Sequence, residues 1–281
     1  MSEKFKSYLP KNHKFKNIIY KKDSYKSIIT INREKKLNCL DLETINELTM
    51  AFKDSAWDDN IAVIILTGAG RRAFSTGADL DEQQKYFLNN SNDYYKWMYE
   101  FIQLHEVMRN VGKPTIARLN GMVVGGGNEL NMSCDLAVAA DNIIIKQVGA
   151  ARGSVAAAGA TQFLPLIVGD RRAREILFLC EDISAQKALE WGLVNQVVPY
   201  DHLDEAVNIL AEKLYNKLPE CLRYAKQQLN FWRDLSWHTT IGHARDWLSI
   251  HNMSPEVHEG ISSFNEKRKI NYKKIRNVKK K

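Results

Sequence analysis

Residues Asn120 to Asp135 read N-G-M-V-V-G-G-G-N-E-L-N-M-S-C-D, with three consecutive glycines ahead of a helical pattern. The first turn of a helix leaves backbone N–H groups unpaired, and the positive end of its dipole stabilises negative charge. Glycines let another molecule approach that backbone closely. Glu129 follows Gly126 by three residues and lies on the same helical face. The stretch therefore predicts an oxyanion donor beside a general acid or base, as carbonyl chemistry requires.

A second loop strengthens this interpretation. Residues Ala73 to Leu80 read A-F-S-T-G-A-D-L and directly follow a buried strand, and Gly77 permits an unusual backbone angle that turns the N–H of Ala78 into a cleft. Two N–H groups from separate loops are what an oxyanion hole for a thioester enolate needs. Alone, the second loop is a simple turn and Glu129 is a surface carboxylate favoured by the helix dipole; together they favour a catalytic site.

Strand and helix patterns alternate along the first two-thirds of the chain, which predicts an α/β fold. Strands are expected at Ser27–Asn32, Ile61–Thr67, Pro114–Leu119, Asp135–Ala140 and Ile143–Lys146, with a helix at Asp41–Ser55. Beyond a boundary near Tyr200 the patterns are helical, at His202–Lys217, Glu220–Asp234 and Thr240–His251, after a helix at Ala185–Gly192. The aromatic stretch Leu80–Asn110 predicts a mobile loop followed by a helix, either lining an apolar acyl pocket or forming a hydrophobic cap.

The composition restricts the class of protein. The chain has 281 residues, 44% of them hydrophobic, enough for one large domain with a helical appendage or two small domains. Its four cysteines lack paired spacing, so neither a disulfide framework nor a zinc site is expected. No signal peptide or membrane-spanning run is recognisable, and a cytoplasmic location is expected. The net charge of +7 is concentrated at the two ends and suits either solvated tails or contact with a polyanion.

A dinucleotide site is not indicated. Gly68-Ala69-Gly70 follows a strand, but Ala73 stands where the third glycine of the fingerprint belongs. The three histidines of the C-terminal helices, His238, His243 and His251, are expected at packing or surface positions, although one of them could approach a neighbouring subunit's site.

The motifs A-F-S-T-G-A-D-L, K-P-T-I-A-R-L-N-G-M-V-V-G-G-G-N-E-L and C-D-L-A-V-A-A-D, in this order, resemble the crotonase (enoyl-CoA hydratase/isomerase) superfamily, from about Ser27 to Tyr272. The resemblance implies a ββα-superhelix core and a C-terminal helical trimerisation region. It divides the chain into a basic N-terminal extension (1–26), an acyl-CoA-binding core (27–200), the helical region (201–265) and a basic C-terminal tail (266–281). It also implies an acyl-CoA thioester substrate, no cofactor apart from the coenzyme A of that substrate, and a homotrimer or dimer of trimers.

The resemblance further assigns residues to roles. Ala78 and Gly126 become the oxyanion donors, and Glu129 becomes the catalytic carboxyl group. Basic residues after the first strand suit the phosphates of coenzyme A, and Lys267, in an E-K-R pattern, is expected to reach the coenzyme A of a neighbouring subunit. The implied coenzyme A and substrate contacts are Arg33, Lys36, Gly77, Asp79, Leu80, Val124, Gly125, Gly149, Ser154 and Lys267.

Position 149 separates the subgroups of the superfamily. Hydratases that resemble the founding enzyme carry a second glutamate there, whereas this chain has Gly149. Dihydroxynaphthoyl-CoA synthases also carry glycine, but they place an aspartate where this chain has Ala156 and usually lack the glutamate kept here at Glu129. The stretch from Gly153 to Gly169, G-S-V-A-A-A-G-A-T-Q-F-L-P-L-I-V-G, resembles the 6-oxocyclohex-1-ene-1-carbonyl-CoA hydrolases, although the long insertion that usually follows V-V-P is missing.

The resulting expectation is an enzyme that adds water to a conjugated, cyclic enoyl-CoA, with possible hydrolytic ring opening. Gly149 is expected to leave space for a bulky acyl group or a second water. Hydration or isomerisation of a linear or dienoyl substrate is the alternative. A dihydroxynaphthoyl-CoA synthase activity and a non-catalytic RNA-binding role, for which the lysine-rich tails would suit phosphates, are disfavoured.

Overall fold

Two sheets carry the fold in the computed structural model, which describes residues 7–8 and 10–276. Within these residues, the larger sheet has the order β1-β2-β3-β5-β7-β10 and the smaller sheet the order β4-β6-β8-β9. The pairs β1–β2 and β8–β9 are antiparallel, and the other pairs are parallel. The strands are β1 Ile18–Asp23, β2 Lys26–Ile31, β3 Val63–Gly68, β4 Ala73–Ser75, β5 Thr115–Leu119, β6 Met122–Val124, β7 Leu136–Ala140, β8 Ile144–Lys146, β9 Ile183–Ser184 and β10 Gln196–Val198.

Helices fill the connections between the strands and form the whole C-terminal region. They are α1 Leu42–Trp57, α2 Leu80–Glu82, α3 Ser91–Asn110, α4 Gly126–Ser133, α5 Ala160–Val168, α6 Asp170–Leu179, α7 Ala185–Glu190, α8 Leu203–Tyr215, α9 Pro219–His251, α10 Pro255–Asn265 and α11 Tyr272–Ile275. The predicted α/β alternation followed by helices is confirmed. None of the helices formed by the described residues combines the length and apolarity needed to cross a membrane.

Strand β3 shows why the core forms here. Its sequence V-I-I-L-T-G is buried at every position, as expected for a parallel strand covered on both faces. Short parallel strands such as β4 and β6 continue from β3 and β5 into the second sheet, so their carboxyl ends deliver two loops to one place. Those loops carry Gly77–Ala78 and Gly125–Gly126.

Three segments differ from the sequence-based expectations. The basic extension predicted over residues 1–26 includes β1. In the sequence, the neighbouring lysines obscured the strand pattern of its buried residues Ile18 and Tyr20. The stretch expected to be a loop after Leu80 is largely helical, with a π-helical turn at Gln83–Phe87 before α3. The two helices expected at Glu220–Asp234 and Thr240–His251 are one continuous helix, because Trp237 and Ile241 are buried and anchor the intervening turns.

Candidate active site

A cavity of about 590 Å³ brings most of the predicted site residues together. Its walls come from the loops after β4, β6 and β8, from helix α3 and from the C-terminal helices α9 and α10 of the same chain. The predicted residues that line it are Lys36, Gly77, Ala78, Asp79, Leu80, Val124, Gly125, Gly126, Glu129, Gly149 and Ser154. Arg33 and Lys267 are not among the described lining residues.

The two expected oxyanion donors lie side by side. Leu40 forms an isolated parallel bridge with Ala78, in which the Leu40 N–H donates to the Gly77 carbonyl and the Leu40 carbonyl accepts from the Asp79 N–H. Leu40 thus bonds to the two neighbours of Ala78 and not to Ala78 itself. In a parallel pair, the residue between two bonded neighbours directs its own N–H to the other side, so the Ala78 N–H points away from Leu40. Gly77 has φ +80°, and a Cβ placed on it would lie 2.8 Å from the Gly126 nitrogen.

Both amides are available to a ligand. Gly126 is the first residue of α4, so its N–H has no acceptor within the helix. Within the described part of the chain, neither the Ala78 N–H nor the Gly126 N–H donates a hydrogen bond. The cavity wall therefore presents two adjacent unpaired donors, the arrangement that stabilises charge developing on a carbonyl oxygen.

Glycines shape the start of α4 for different reasons. Gly125 has φ +54°, a conformation that side chains rarely allow, and it turns the chain from β6 into the helix. Gly127 packs directly on β4, where a Cβ would clash with the carbonyl oxygen of Ser75. The helix start is thus fixed against the strand that leads to Ala78.

Glu129 is buried, with 5% of its surface exposed, which excludes the simpler interpretation of a surface carboxylate. Burial raises its pKa to about 8, although the backbone N–H groups of Ala158 and Ala157 donate to it and act in the opposite direction. The carboxyl group is therefore mostly protonated at neutral pH, and its ionised form is a stronger base than an ordinary glutamate.

Two predicted coenzyme A contacts, Arg33 and Asp79, are joined in an internal network. Arg33 Nη2 lies 2.8 Å from Asp79 Oδ2 and 2.9 Å from Asp41 Oδ2, and its Nη1 donates to the Cys39 carbonyl at 2.8 Å. Asp79 in turn accepts from the backbone N–H groups of Asp81 and Glu82 and begins α2. These contacts hold the loop that presents Ala78.

The mouth of the cavity is basic. Lys36 lines it, paired with Asp81. Four further cationic residues line the cavity, namely Lys35, Arg72, Lys146 and Arg152. Cations of this kind suit the phosphates of coenzyme A. No group of three or more His, Cys, Asp or Glu residues in the described chain could hold a metal ion.

The expectation that Gly149 leaves space for substrate or water is wrong. A Cβ placed on Gly149 would lie 2.8 Å from the Ser154 carbonyl oxygen and 3.2 Å from the Ala156 nitrogen. The Gly149 carbonyl accepts hydrogen bonds from the N–H groups of Arg152 and Ser154, which folds the loop over this position. Backbone occupies the place of the absent side chain, and the same loop continues to the amides that hold Glu129.

Part of the aromatic stretch Leu80–Asn110, expected either to line an acyl pocket or to form a hydrophobic cap, lines the cavity, whereas Gln147 was not predicted. Tyr94, Trp97, Met98 and Phe101 form one stripe of α3 at helical spacing, and they line the cavity. Gln147 is 1% exposed, and both of its side-chain polar atoms lack a partner in the described structure. The helical spacing in α3 was a usable signal, whereas nothing in the sequence near Gln147 marks it.

The C-terminal helices form the remaining wall, with Leu248, His251, Asn252, Val257, Ile261 and Phe264. His251, expected at a packing or surface position or near a neighbour's site, lines the cavity of its own chain. Its ring stacks on Trp247 at 4.3 Å between centroids.

Comparison with known proteins places this geometry in a family. The enoyl-CoA hydratase/isomerase family profile matches residues 24–276. An enoyl-CoA hydratase from Bacillus anthracis is similar at 32% sequence identity and a TM-score of 0.75, over 91% of this chain and 98% of that chain. An enoyl-CoA hydratase from Mycobacterium avium subsp. paratuberculosis K-10 is similar at 25% identity and a TM-score of 0.83, over 91% and 98%. An enoyl-CoA hydratase/isomerase from Xanthobacter autotrophicus Py2 is similar at 26% identity and a TM-score of 0.82, over 90% and 94%.

The chain belongs to the enoyl-CoA hydratase/isomerase family. It is an enzyme of the crotonase superfamily, whose members act on acyl-CoA thioesters, and the predicted superfamily and fold are confirmed. The narrower resemblance to ring-opening hydrolases stays a prediction.

Proposed function

We propose that this enzyme adds water to the conjugated double bond of an enoyl-CoA thioester, with Glu129 as the base that activates the water. The observation that carries this proposal is the convergence of one buried carboxyl group and two unpaired amides on a single cavity. Coenzyme A enters as part of the substrate, its phosphates at the basic mouth, and no separate cofactor takes part.

The reaction follows from the positions of these groups. The thioester oxygen accepts hydrogen bonds from the N–H groups of Ala78 and Gly126, and the acyl chain extends along the α3 stripe. Ionised Glu129 removes a proton from water as the hydroxide adds to the β-carbon, and the electrons move onto the thioester oxygen. The two donors stabilise this enolate, each by about 3 kcal/mol. A proton then adds to the α-carbon and completes the hydration.

The test is the Glu129→Gln variant assayed with crotonyl-CoA and a panel of cyclic enoyl-CoA thioesters, by loss of absorbance of the conjugated thioester. We expect kcat to fall by about 10²-fold or more, because the amide cannot accept the proton. In the unmodified enzyme, kcat/KM should rise with pH through about 8, as the carboxyl group ionises.

Glu175→Gln is the matched control, since this glutamate is exposed on α6, and it should leave the rate unchanged. Hydration that survives in the Glu129 variant would refute the role of Glu129. An unmodified enzyme that hydrates no member of the panel would refute the proposed function.

A second candidate is hydrolytic ring opening of a cyclic oxo-enoyl-CoA. The specific observation in its favour is that the segment resembling the ring hydrolases, from Gly153 to Gly169, supplies the Ala157 and Ala158 amides that hold Glu129. In this reaction one water hydrates the double bond. A second water adds to the ring ketone, the adjacent C–C bond breaks, and the released carbon takes up a proton.

The products distinguish the two candidates. Ring opening yields an open-chain thioester with a new carboxylate, whereas hydration alone yields a cyclic hydroxyacyl thioester with one added water. Mass spectrometry after incubation with 6-oxocyclohex-1-ene-1-carbonyl-CoA separates them. A product with one added water and an intact ring would exclude ring opening.

A further inference from the structure

The proposed hydration lacks an evident donor for the α-carbon. Gly149 stands where related hydratases carry their second glutamate. Three carboxylates are found among the described residues that line the cavity, and Glu129 is the base. The other two are Asp79, which is paired with Arg33, and Asp81, which is paired with Lys36 at the mouth. With Glu129 assigned to the water, the donor is sought among the other side chains that line the cavity.

Tyr94 is placed on the same cavity as Glu129. It is 8% exposed and belongs to the stripe of α3 that continues through Trp97 to Phe101. That stripe reaches the oxyanion donors, because a Cβ placed on Gly126 would lie 3.1 Å from Phe101 Cζ. The Tyr94 ring stacks on Trp97 at 6.0 Å between centroids, which fixes its orientation.

The hydroxyl group of Tyr94 is free to act. It makes no hydrogen bond to another residue in the described part of the chain, and Tyr94 is one of the residues that line the cavity. Burial raises the pKa of Tyr94, and the nearby charge of Glu129 raises it further. The phenol therefore stays protonated over the working range of pH and is available as an acid.

We propose that the Tyr94 hydroxyl group donates the proton to the α-carbon, in place of the carboxylic acid that position 149 lacks. This inference rests on the proposed hydration. The enolate C=C electron pair forms the new C–H bond, the Tyr94 O–H bond breaks, and the phenolate takes back, through solvent, the proton that Glu129 removed from water. Overall, one water molecule is added to the substrate, and both Tyr94 and Glu129 return to their starting protonation states.

Two other acids on the cavity are committed elsewhere. The Cys39 Sγ lies 3.2 Å from Arg33 Nη1, and burial raises the pKa of this thiol to about 12. His251 stacks on Trp247, and its Nε2 lies 3.8 Å from a carboxylate oxygen of Glu256 on α10. Tyr94, by contrast, lines the cavity, and its hydroxyl group has no hydrogen-bond partner among the described residues.

The test compares Tyr94→Phe with Tyr95→Phe in the full chain. Tyr95 is the next residue, lies outside the cavity lining and stacks against Arg245, so its substitution makes the same chemical change at an exposed place. With the best enoyl-CoA of the panel, we expect Tyr94→Phe to lower kcat by about 10²-fold or more with little change in KM. Tyr95→Phe should match the unmodified enzyme.

Calorimetric binding of butyryl-CoA, which cannot be hydrated, reports whether the site is intact. Unchanged affinity together with the loss of kcat supports the assignment. A Tyr94→Phe enzyme within about threefold of the unmodified kcat overturns it and leaves the proposed hydration standing. A variant that loses butyryl-CoA binding as well assigns Tyr94 to the shape of the cavity, and this too overturns the proposal. Failure of the unmodified enzyme to hydrate any substrate refutes the proposed function itself.

Discussion

At the scale of single residues, the ionisation of Glu129 is the property on which the chemistry depends. Burial and the two backbone donors act in opposite directions on its pKa, and burial is the larger effect. A carboxyl group whose pKa lies near the working pH can exist in both protonation states during turnover. The same burial has a consequence for folding that can be measured without any substrate.

The free energy of unfolding should depend on pH through Glu129. Its pKa is raised from 4.5 to about 8 in the folded state, so between these values the folded protein holds a proton that the unfolded chain releases. Stability due to this group is therefore lost as pH rises from about 4.5 to about 8. Glu129→Gln removes the ionisation, and we expect its stability relative to the unmodified protein to increase by a few kcal/mol from about pH 5 to about pH 9.

Urea unfolding at the two pH values measures this difference. The exposed Glu175→Gln variant is the control. Its free energy of unfolding should differ from that of the unmodified protein by the same amount at both pH values. If the free energies of unfolding of the Glu129→Gln and unmodified proteins changed in parallel with pH, the Glu129 carboxyl group would have an ordinary pKa.

At the scale of elements, the start of α4 depends on backbone contact rather than on side chains. Gly127 meets the backbone of β4, the strand that leads to Ala78, and a Cβ here would clash with the Ser75 carbonyl oxygen. Gly242, in the middle of α9, has open space around the position of a Cβ. Substitution by alanine is therefore expected to have opposite effects on the free energy of unfolding at these two positions.

Gly127→Ala should lower the free energy of unfolding by about 2 kcal/mol or more and should reduce activity, because the clash is with a backbone carbonyl that cannot move away easily. Gly242→Ala should raise it by about 0.5–1 kcal/mol, since alanine is the better helix former. Chemical denaturation of both variants tests the pair. A stable, fully active Gly127→Ala protein would contradict the close packing described here.

The sequence predicted the elements whose patterns are local. The glycine run before Glu129 and the apolar strand β3 both carry their signal within a few residues. Strand β1 was missed because its buried residues Ile18 and Tyr20 lie within a lysine-rich stretch. The continuity of α9 was missed because Thr239, Thr240 and Gly242 are weak helix formers, and only the tertiary burial of Trp237 and Ile241 outweighs them.

The site was predictable where a local pattern carries a signal. Glu129 and Gly126 share one helical turn, the glycine turn after a buried strand indicated Ala78, and the helical spacing of aromatic residues in α3 includes Tyr94. Gln147 reaches the cavity from the end of a strand distant in sequence, and no local pattern marks it. The expected space beside Gly149 failed for the same reason, because residues 154–156 fold back over it.

At the scale of the whole molecule, the long helix α9 exposes a broad apolar surface. Its exposed residues include Tyr224, Leu229, Phe231, Trp232 and Ile250, and Phe231 and Trp232 are 74% and 71% exposed. An exposed surface of this kind marks an association site in soluble proteins. It suits the predicted homotrimer or dimer of trimers.

The double variant Phe231→Glu, Trp232→Glu should therefore shift the protein from the oligomer to the monomer at micromolar concentration, because two charges would be buried without partners. Light scattering after size-exclusion chromatography measures the mass. Met50→Glu, a substitution of one exposed apolar residue on α1, is the control and should leave the mass unchanged. A double variant with unchanged mass would locate the contact elsewhere.

The C-terminal region also closes the cavity from within the chain. Asn252 donates a hydrogen bond to the Phe87 carbonyl, and Arg152 lies over the ring of Phe264 at 5.1 Å. Helices α9 and α10 are thus joined to the segment before α3 and to the loop after Gly149. The wall around the acyl group is built from parts that are far apart in sequence.

The loop that covers Gly149 makes a second acid difficult to introduce at this position. A glutamate here would meet the backbone of Ser154 and Ala156 at its first side-chain carbon. Two-glutamate chemistry would require that loop to adopt another path, and the same loop continues to the Ala157 and Ala158 amides that hold Glu129. A designer who wants a second acid in this cavity therefore has to graft a whole loop rather than exchange a single residue.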